Sequence, residues 1–200
     1  MRWASSCLSV PDVLEAGADD QSSWILTRGL DGRDATHPAF RGDVLGLVEL
    51  LADGLLAFHR APIERCPFQF RLDDALRIAV DRLHGGRIDP ARHFHPEYAH
   101  LSAAEAVETL QRTRPRDENL VVCHGDYRLP NVLLNDERVI GYVDLGELGV
   151  ADRWWDLAVG SWSITWNLGP GLEEHFFQAY GVELDPERLR FYRLLYDVVS

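Results

Sequence analysis

Three polar residues in the middle of the chain stand at a spacing that suits catalysis. Asp126 follows a short apolar run and a glycine, Asn131 stands five positions later, and Asp144 stands thirteen positions beyond that. The runs 131–134 and 138–143 are rich in β-forming residues and predict a hairpin. Because a hairpin brings the start of its first strand near the end of its second, we expect Asn131 and Asp144 to face one spot, with Asp126 at its rim.

These residue types predict a site for a divalent cation and a phosphorylated ligand. A carboxylate and an amide carbonyl offer hard oxygen ligands, and magnesium takes such ligands together with phosphate oxygens. A second carboxylate beside them can orient a hydroxyl group and accept its proton, which is the arrangement that phosphoryl transfer needs. Each residue alone would be typical of a turn or a helix cap. The joint spacing favours a catalytic site.

An iron site is the alternative from a different class of chemistry. His124 and Asp126, with one histidine from a distant segment, would supply two imidazoles and one carboxylate, a ligand set typical of non-haem iron. The distant candidates are His93, His95 and His100. This alternative leaves the other two polar residues of the hairpin without a role.

The charge balance limits the partners. The 200 residues carry 32 acidic and 20 basic side chains, a net charge of −12. Such a chain repels nucleic acid and attracts cationic small molecules, so we expect a small cationic substrate and no nucleic-acid partner. All 20 basic residues are arginine, and the sequence contains no lysine. Chemistry that depends on a lysine, including the nucleotide-binding lysine of kinases, is therefore excluded within this polypeptide.

Cysteine use and hydropathy favour the cytoplasm. Cys7, Cys66 and Cys123 are odd in number and far apart, which argues against a disulfide framework or a zinc ribbon. The first residues lack the apolar core of a signal peptide, and no apolar run reaches the 18 residues that would span a membrane.

Hydrophobic periodicity predicts a mostly helical body with two strand pairs. Runs at 10–16 and 23–28 predict an N-terminal hairpin, 85–100 an exposed loop, and 120–123 a strand. Helices are predicted at 43–59 with Asp43 as cap, at 72–84, from a capping box at Ser102 and Glu105 to about 114, and at 151–166, 171–180 and 186–199.

Two features of the helix predicted at 151–166 allow more than one interpretation. Trp155, Trp162 and Trp166 share one helical face, which favours core packing over a sugar-stacking wall. Asp152 and Asp156 could form a salt bridge with Arg153 or brace the catalytic loop, but solvated surface charges are the favoured interpretation.

The sequence resembles a known family. His124-Gly-Asp126, with Asn131 five residues on and Asp144-Leu-Gly146 later, is similar to the paired catalytic motifs of protein kinases. The fuller strings 121–131 (VVCHGDYRLPN) and 144–158 (DLGELGVADRWWDLA) look like the aminoglycoside phosphotransferases, closest to their 3′ branch. The resemblance implies an α+β, protein-kinase-like fold, with 1–30 as the remnant of a nucleotide lobe and hinge and 31–200 as the helical catalytic lobe.

The resemblance also implies roles for individual residues. Asp126 would be the catalytic base, Asn131 and Asp144 would bind Mg²⁺, and His124 would brace the loop. ATP or GTP would be the phosphoryl donor. The backbone of Arg28, Gly29 and Leu30 would form the hinge that meets the nucleotide base. The substrate residues would be Glu97 in a loop at 89–98, Asp197 and the C-terminal Ser200.

Several departures from the family's pattern matter for activity. Family members begin with a Gly-rich loop and a strand lysine, and this chain starts after both, so we expect an N-terminally truncated polypeptide with impaired turnover. The exposed hairpin edge is expected to promote self-association. Glu97 is the only carboxylate of its loop's central segment, and Glu147 stands where arginine is common. The alternatives are a non-catalytic, pseudokinase-like binding module and a kinase for a different small hydroxyl compound.

Overall fold

The structure is a computed structural model that describes residues 1–135 and 138–200. Seven helices form the body of this part of the chain. In chain order they are α1 Val44–His59, α2 Leu72–His84, α3 Pro90–His93, α4 Ala103–Thr113, α5 Trp154–Leu168, α6 Glu173–Tyr180 and α7 Pro186–Val199. The strands of this part are β1 Val13–Ala18, β2 Ser23–Thr27, β3 Arg33–Asp34, β4 Leu120–Cys123, β5 Val132–Leu134, β6 Val139–Tyr142 and β7 Gly149–Asp152.

Local capping signals set the starts of several helices. The Asp43 carboxylate accepts a hydrogen bond from the Gly46 amide at the start of α1. Ser102 and Glu105 form the predicted capping box of α4. These caps satisfy amide groups that have no partner within the first turn, so each helix begins where its sequence signal stands.

Apolar helix faces pack into one core that supports the middle of the chain. Helix α1 lies along α6, α5 lies along α7, and α2 and α4 also pack on α7. Fully buried side chains from α1, α5 and α7 meet in this core, among them Leu51, Leu55, Phe58, Leu157 and Leu195. Burial of each large apolar side chain contributes about 1.5–3 kcal/mol, so this core holds the three helices together.

The two predicted hairpins are confirmed. Strands β1 and β2 pair antiparallel, and β5 pairs antiparallel with β6. The turn predicted between β5 and β6 includes residues 136 and 137, which lie outside the described residues.

Two strands were not predicted, and one of them shifts a helix boundary. The short β3 adds to the edge of β5. Strand β7 pairs antiparallel with β4, with Leu120 opposite Asp152. The helix predicted from residue 151 therefore begins at Trp154, because residues 149–152 are extended to complete this pair.

The loop predicted at 85–100 is not wholly exposed, so that prediction was wrong in part. It contains the short helix α3, whose first turn is capped by the Asp89 carboxylate. Phe94 and Tyr98 are buried, and the Tyr98 hydroxyl donates to the Arg190 carbonyl. Two buried aromatic side chains thus anchor this polar stretch, and Tyr98 ties it to α7.

Among the helices of the described ranges, none has both the length and the apolar content needed to cross a bilayer.

Candidate active site

The catalytic loop, residues 124–131, runs from the end of β4 to the start of β5 and is anchored by one buried carboxylate. Asp156 of α5 is fully buried. Its two oxygens accept hydrogen bonds from the backbone amides of His124, at 2.6 Å, and Gly125, at 2.9 Å. The sequence favoured a solvated role for Asp156, and the structure instead supports the alternative, that it braces the loop.

A second pair of side chains supports Asp156 from behind. His59 of α1 donates from Nε2 to Asp156 at 3.0 Å, and its Nδ1 accepts from the Tyr180 hydroxyl of α6 at 2.7 Å. Burial raises the pKa of Tyr180 to about 12, so the hydroxyl keeps its proton and remains a donor at neutral pH. The chain of contacts joins α6, α1 and α5 to the loop.

Glycine is required at the second position of the loop. Gly125 has φ +87°, and a Cβ there would lie 2.4 Å from the Glu147 backbone oxygen. Its own carbonyl accepts from the Trp155 indole N–H at 2.7 Å. The turn thus depends on close approach of two backbones, which only glycine allows.

His124 joins the loop to the end of β6. Its Nδ1 accepts from the Asp126 amide at 3.3 Å, and its Nε2 donates to the Val143 carbonyl at 3.0 Å. Burial lowers the pKa of His124, which favours the neutral ring that this donor and acceptor pattern needs. These contacts agree with the predicted bracing role.

Asp126 is held by three side chains. Its Oδ2 accepts from Asn131 Nδ2 at 2.8 Å and from the Arg128 guanidinium at 2.6 Å. Its Oδ1 accepts from the Tyr196 hydroxyl at 2.9 Å. The Asn131 amide also donates to the Asp126 carbonyl at 2.9 Å. The structure therefore brings Asp126 and Asn131 into direct contact.

Asp144 lies at the exit of β6, beside the same loop. The Val143 amide donates to the Asn131 carbonyl at 3.0 Å, so the backbones of the two predicted magnesium ligands are adjacent. Within residues 1–135 and 138–200, Asp144 is the one non-glycine residue with positive φ, 57°. Such backbone conformations are often kept at functional sites. The exposed carboxylate is near enough to contribute to the raised pKa of Arg128, of which the hydrogen bond to Asp126 is the main cause.

The donor set at this position fits magnesium. The Asn131 amide nitrogen is engaged with Asp126, which leaves its Oδ1 as the atom able to bind a cation. The exposed Asp144 carboxylate supplies a second hard oxygen ligand. Magnesium needs one or two such protein ligands and takes its others from water and phosphate. The metal-binding roles of Asn131 and Asp144 remain predictions.

The predicted hinge residues lie where the first hairpin meets β6. Arg28 and Gly29 are exposed, and the Arg28 amide donates to the Asp12 carbonyl at 2.9 Å. The Leu30 side chain covers Gly141, where a Cβ would come within 2.3 Å of the Leu30 methyl group. This contact ties the hinge segment to β6.

The predicted substrate residues are placed differently from one another. Glu97 is exposed and lies 3.9 Å from the Arg193 guanidinium. Ser200 is exposed, and its amide donates to the Tyr196 carbonyl. Asp197 is buried, and its carboxylate accepts from the backbone amide and the imidazole Nδ1 of His95. The oxygens of Asp197 thus hold the 89–98 loop, and the substrate-binding role predicted for Asp197 stays a prediction.

Sequence reasoning missed several contacts of this site. Arg128 stands two residues after Asp126, so its sequence position offered a signal. Tyr196 lies seventy residues from Asp126 and offered none. His95 stacks on Trp166 and lies against Trp162.

The prediction of core packing for the tryptophan face is only partly confirmed. Trp155 and Trp162 are buried, whereas Trp166 is 47% exposed. His95 of the 89–98 loop contacts both the buried Trp162 and the exposed Trp166 of this face.

Comparisons with known proteins show the family to which this chain belongs. The model of the phosphotransferase enzyme family matches residues 1–192. An aminoglycoside 3′-phosphotransferase from Streptomyces fradiae is 38% identical over 196 residues, which cover 94% of this chain and 72% of that protein. A solved aminoglycoside-3′-phosphotransferase of type VIII superposes with a TM-score of 0.87 at 33% identity, over 98% of this chain and 76% of the other.

A second solved structure holds ligands. It is an aminoglycoside phosphotransferase from Streptomyces rimosus in complex with ADP and streptomycin, with a TM-score of 0.83 and 29% identity over 99% of this chain and 79% of the other. The chain belongs to the phosphotransferase enzyme family. The predicted resemblance, the α+β protein-kinase-like fold and the class of enzyme, a phosphotransferase with an alcohol group as acceptor, are confirmed.

The buried Asp156 network yields a stability prediction. Asp156→Asn replaces one acceptor oxygen by a donor that faces backbone N–H groups, and we expect it to lower the free energy of unfolding by about 3–5 kcal/mol. Urea unfolding followed by circular dichroism measures this change. Asp74→Asn, which breaks an exposed pair with Arg77, is the control and should change the free energy by less than about 0.5 kcal/mol. Equal effects of the two variants would contradict the anchoring role.

The contact between α7 and Asp126 yields an activity prediction. Tyr196→Phe removes the hydroxyl that orients Asp126. We expect kcat for phosphoryl transfer to fall about three- to tenfold, which is the usual effect of losing one hydrogen bond, with little change in KM. Transfer of labelled phosphate measures it. Tyr192→Phe is the matched control, because Tyr192 lies on the same helix as Tyr196 and its hydroxyl donates to Asp152 of β7 instead. It should lower stability while kcat stays near that of the wild type. An equal fall in kcat for both variants would contradict the role of Tyr196 in positioning Asp126.

Proposed function

We propose that the chain is the catalytic lobe of an aminoglycoside phosphotransferase-type kinase that confers antibiotic resistance. It would transfer the γ-phosphoryl group of ATP or GTP to a hydroxyl of an aminoglycoside or a similar cationic compound. The observation that carries the proposal is the contact of Asp126 with Asn131 beside the exposed Asp144, in a chain whose relatives are named aminoglycoside 3′-phosphotransferases.

The roles of the site residues follow from their chemistry. Asp126 orients the acceptor hydroxyl and takes its proton, while the hydroxyl oxygen bonds to the γ-phosphorus and the bond to the bridging oxygen of the leaving nucleoside diphosphate breaks. Asn131 and Asp144 would hold Mg²⁺, which neutralises phosphate charge when bound. Tyr196 and Asn131 keep the Asp126 carboxylate in one orientation.

The substrate side would be formed by the 89–98 loop and the end of α7. Glu97 is exposed and supplies a carboxylate for an ammonium group, and Ser200 lies at the end of α7. Asp197 acts indirectly, because it fixes the loop through His95. The net charge of −12 attracts a cationic substrate. Arg28, Gly29 and Leu30 would meet the nucleotide base and mark the boundary between a nucleotide lobe and the lobe from 31 to 200.

The absence of lysine affects the rate that this polypeptide can reach. The 200 residues offer no lysine to pair with the phosphates, and loss of one preorganised electrostatic partner typically lowers a rate about 10²- to 10³-fold. We therefore propose a low turnover for the 200-residue polypeptide in the cytoplasm. A pseudokinase-like binding module and a kinase for another small hydroxyl compound are the alternative functions.

Replacement of Asp126 separates catalysis from binding alone. For Asp126→Ala we expect phosphate transfer from labelled ATP or GTP to a panel of aminoglycosides to fall about 10²- to 10⁴-fold, because the general base is lost. Asp74→Ala, an exposed position on α2, should leave the rate unchanged.

Calorimetry of aminoglycoside binding completes this test. Wild-type transfer at background level, with binding that Asp126→Ala leaves intact, would favour the binding module. Transfer only to hydroxyl compounds outside the panel would move the assignment to a different substrate class.

The first hairpin is proposed to drive self-association. Trp24, Ile25 and Leu26 are consecutive in β2, and each is about half exposed. Since consecutive strand residues point to opposite faces, neither face of the hairpin is fully covered. We expect Ile25→Lys to lower the mass measured by light scattering at high protein concentration, whereas Leu45→Lys, at an equally exposed position on α1, should not. A monomer at all concentrations for the unmodified chain would refute this proposal.

A further inference from the structure

The hydrogen bonds around Asp126 raise a question of access. A carboxylate offers about four lone-pair directions, and three donors already occupy Asp126: Asn131, Tyr196 and Arg128. An acceptor hydroxyl must bond to the same carboxylate before it can react. At most one direction is left for that hydroxyl, so release of the most mobile partner would open the carboxylate to it.

Arg128 is the partner best able to move. Asn131 is buried, and its amide is held by two bonds to Asp126. Tyr196 extends from α7, which packs on three other helices. The Arg128 side chain is 44% exposed and sits on a long flexible stem. Its contact with Asp126 is thus the one that can open without disturbing the fold.

The surroundings of Arg128 indicate where the guanidinium would go. Its guanidinium is bonded to the predicted base Asp126 at 2.6 Å, and the predicted magnesium ligand Asn131 lies three residues on in the same loop and bonds to the same carboxylate oxygen. The proposed function has a nucleoside triphosphate bind beside Asn131 and Asp144, and Arg128 is a cationic side chain of the same loop as Asn131. A guanidinium group can donate two parallel hydrogen bonds to two oxygens of one phosphate. The chain has no lysine that could contact the phosphate in its place.

We propose that Arg128 has two positions, one paired with Asp126 when the site is empty and one in contact with the terminal phosphoryl group when a nucleoside triphosphate is bound. Transfer of the guanidinium from carboxylate to phosphate frees Asp126 for the acceptor hydroxyl. Donor binding would then prepare the base as well as supply the phosphoryl group. The inference rests on the proposed function, because it requires a triphosphate at this site.

Nucleotide affinity measured without turnover tests the proposal. The probes are a non-hydrolysable β,γ-imido analogue of ATP and ADP, each with Mg²⁺, and calorimetry gives Kd for both. For Arg128→Gln we expect the affinity for the triphosphate analogue to fall about tenfold, the usual effect of losing a charge-assisted contact. The affinity for ADP should stay within about twofold, since the inferred contact is with the terminal group alone.

Two further variants control for charge and folding. Arg77→Gln removes the same charge from an exposed pair with Asp74 and should leave both affinities unchanged. Arg128→Lys keeps the positive charge but lacks the paired donors of a guanidinium group, so it should give an intermediate affinity for the triphosphate analogue. Thermal unfolding of each variant confirms that it folds.

Each outcome decides between distinct conclusions. A selective loss of triphosphate affinity supports the two-position role of Arg128. Equal losses for both nucleotides, or no loss for either, overturn it and leave the proposed function standing. Failure of the wild-type chain to bind either nucleotide overturns the proposed function, and the role of Arg128 with it.

Discussion

The buried carboxylate of Asp156 is the interaction on which the geometry of the site depends. A charge removed from water costs several kcal/mol unless hydrogen bonds and partner charges replace its hydration. Asp156 obtains these bonds from the amides of His124 and Gly125 and from His59. All of these hydrogen bonds form only if the catalytic loop turns at His124 and Gly125, beside Asp156.

The position of the loop then determines the position of the predicted metal ligands. With its amide fixed by Asp156, His124 donates to the Val143 carbonyl, and the Val143 amide donates to the Asn131 carbonyl. The loop is thus linked to the end of β6 at both of its ends, by the His124 ring at one and by a backbone hydrogen bond at the other. Asp144, the next residue, is held beside Asn131 by these links. Ser163 adds a bond from the other side, since its hydroxyl accepts from the Leu129 amide of the loop.

Much of this arrangement could be predicted, because it is encoded in short segments. The hairpin that brings Asn131 near Asp144 follows from β-forming runs and a polar turn, and the caps of α1 and α4 follow from single residues and their spacing. The remaining features depend on contacts between distant parts of the chain. Strand β7 is short and exists because β4 pairs with it. The burial of Asp156 depends on helices α1 and α6, and a charged residue carries no local sign of such a partner.

Helix α7 connects the two sides of the site through adjacent residues. Tyr196 donates to the Asp126 carboxylate, and Asp197 accepts from His95 of the 89–98 loop. His95 also stacks on Trp166 of α5, so the loop is fixed by a charged contact and an aromatic one. Because Tyr196 and Asp197 belong to one rigid helical turn, any shift of α7 that moves the loop also moves the donor on Asp126. The 89–98 loop and the predicted base are therefore positioned by the same helix, the loop through the bond from His95 to the buried Asp197 and the base through the bond from Tyr196.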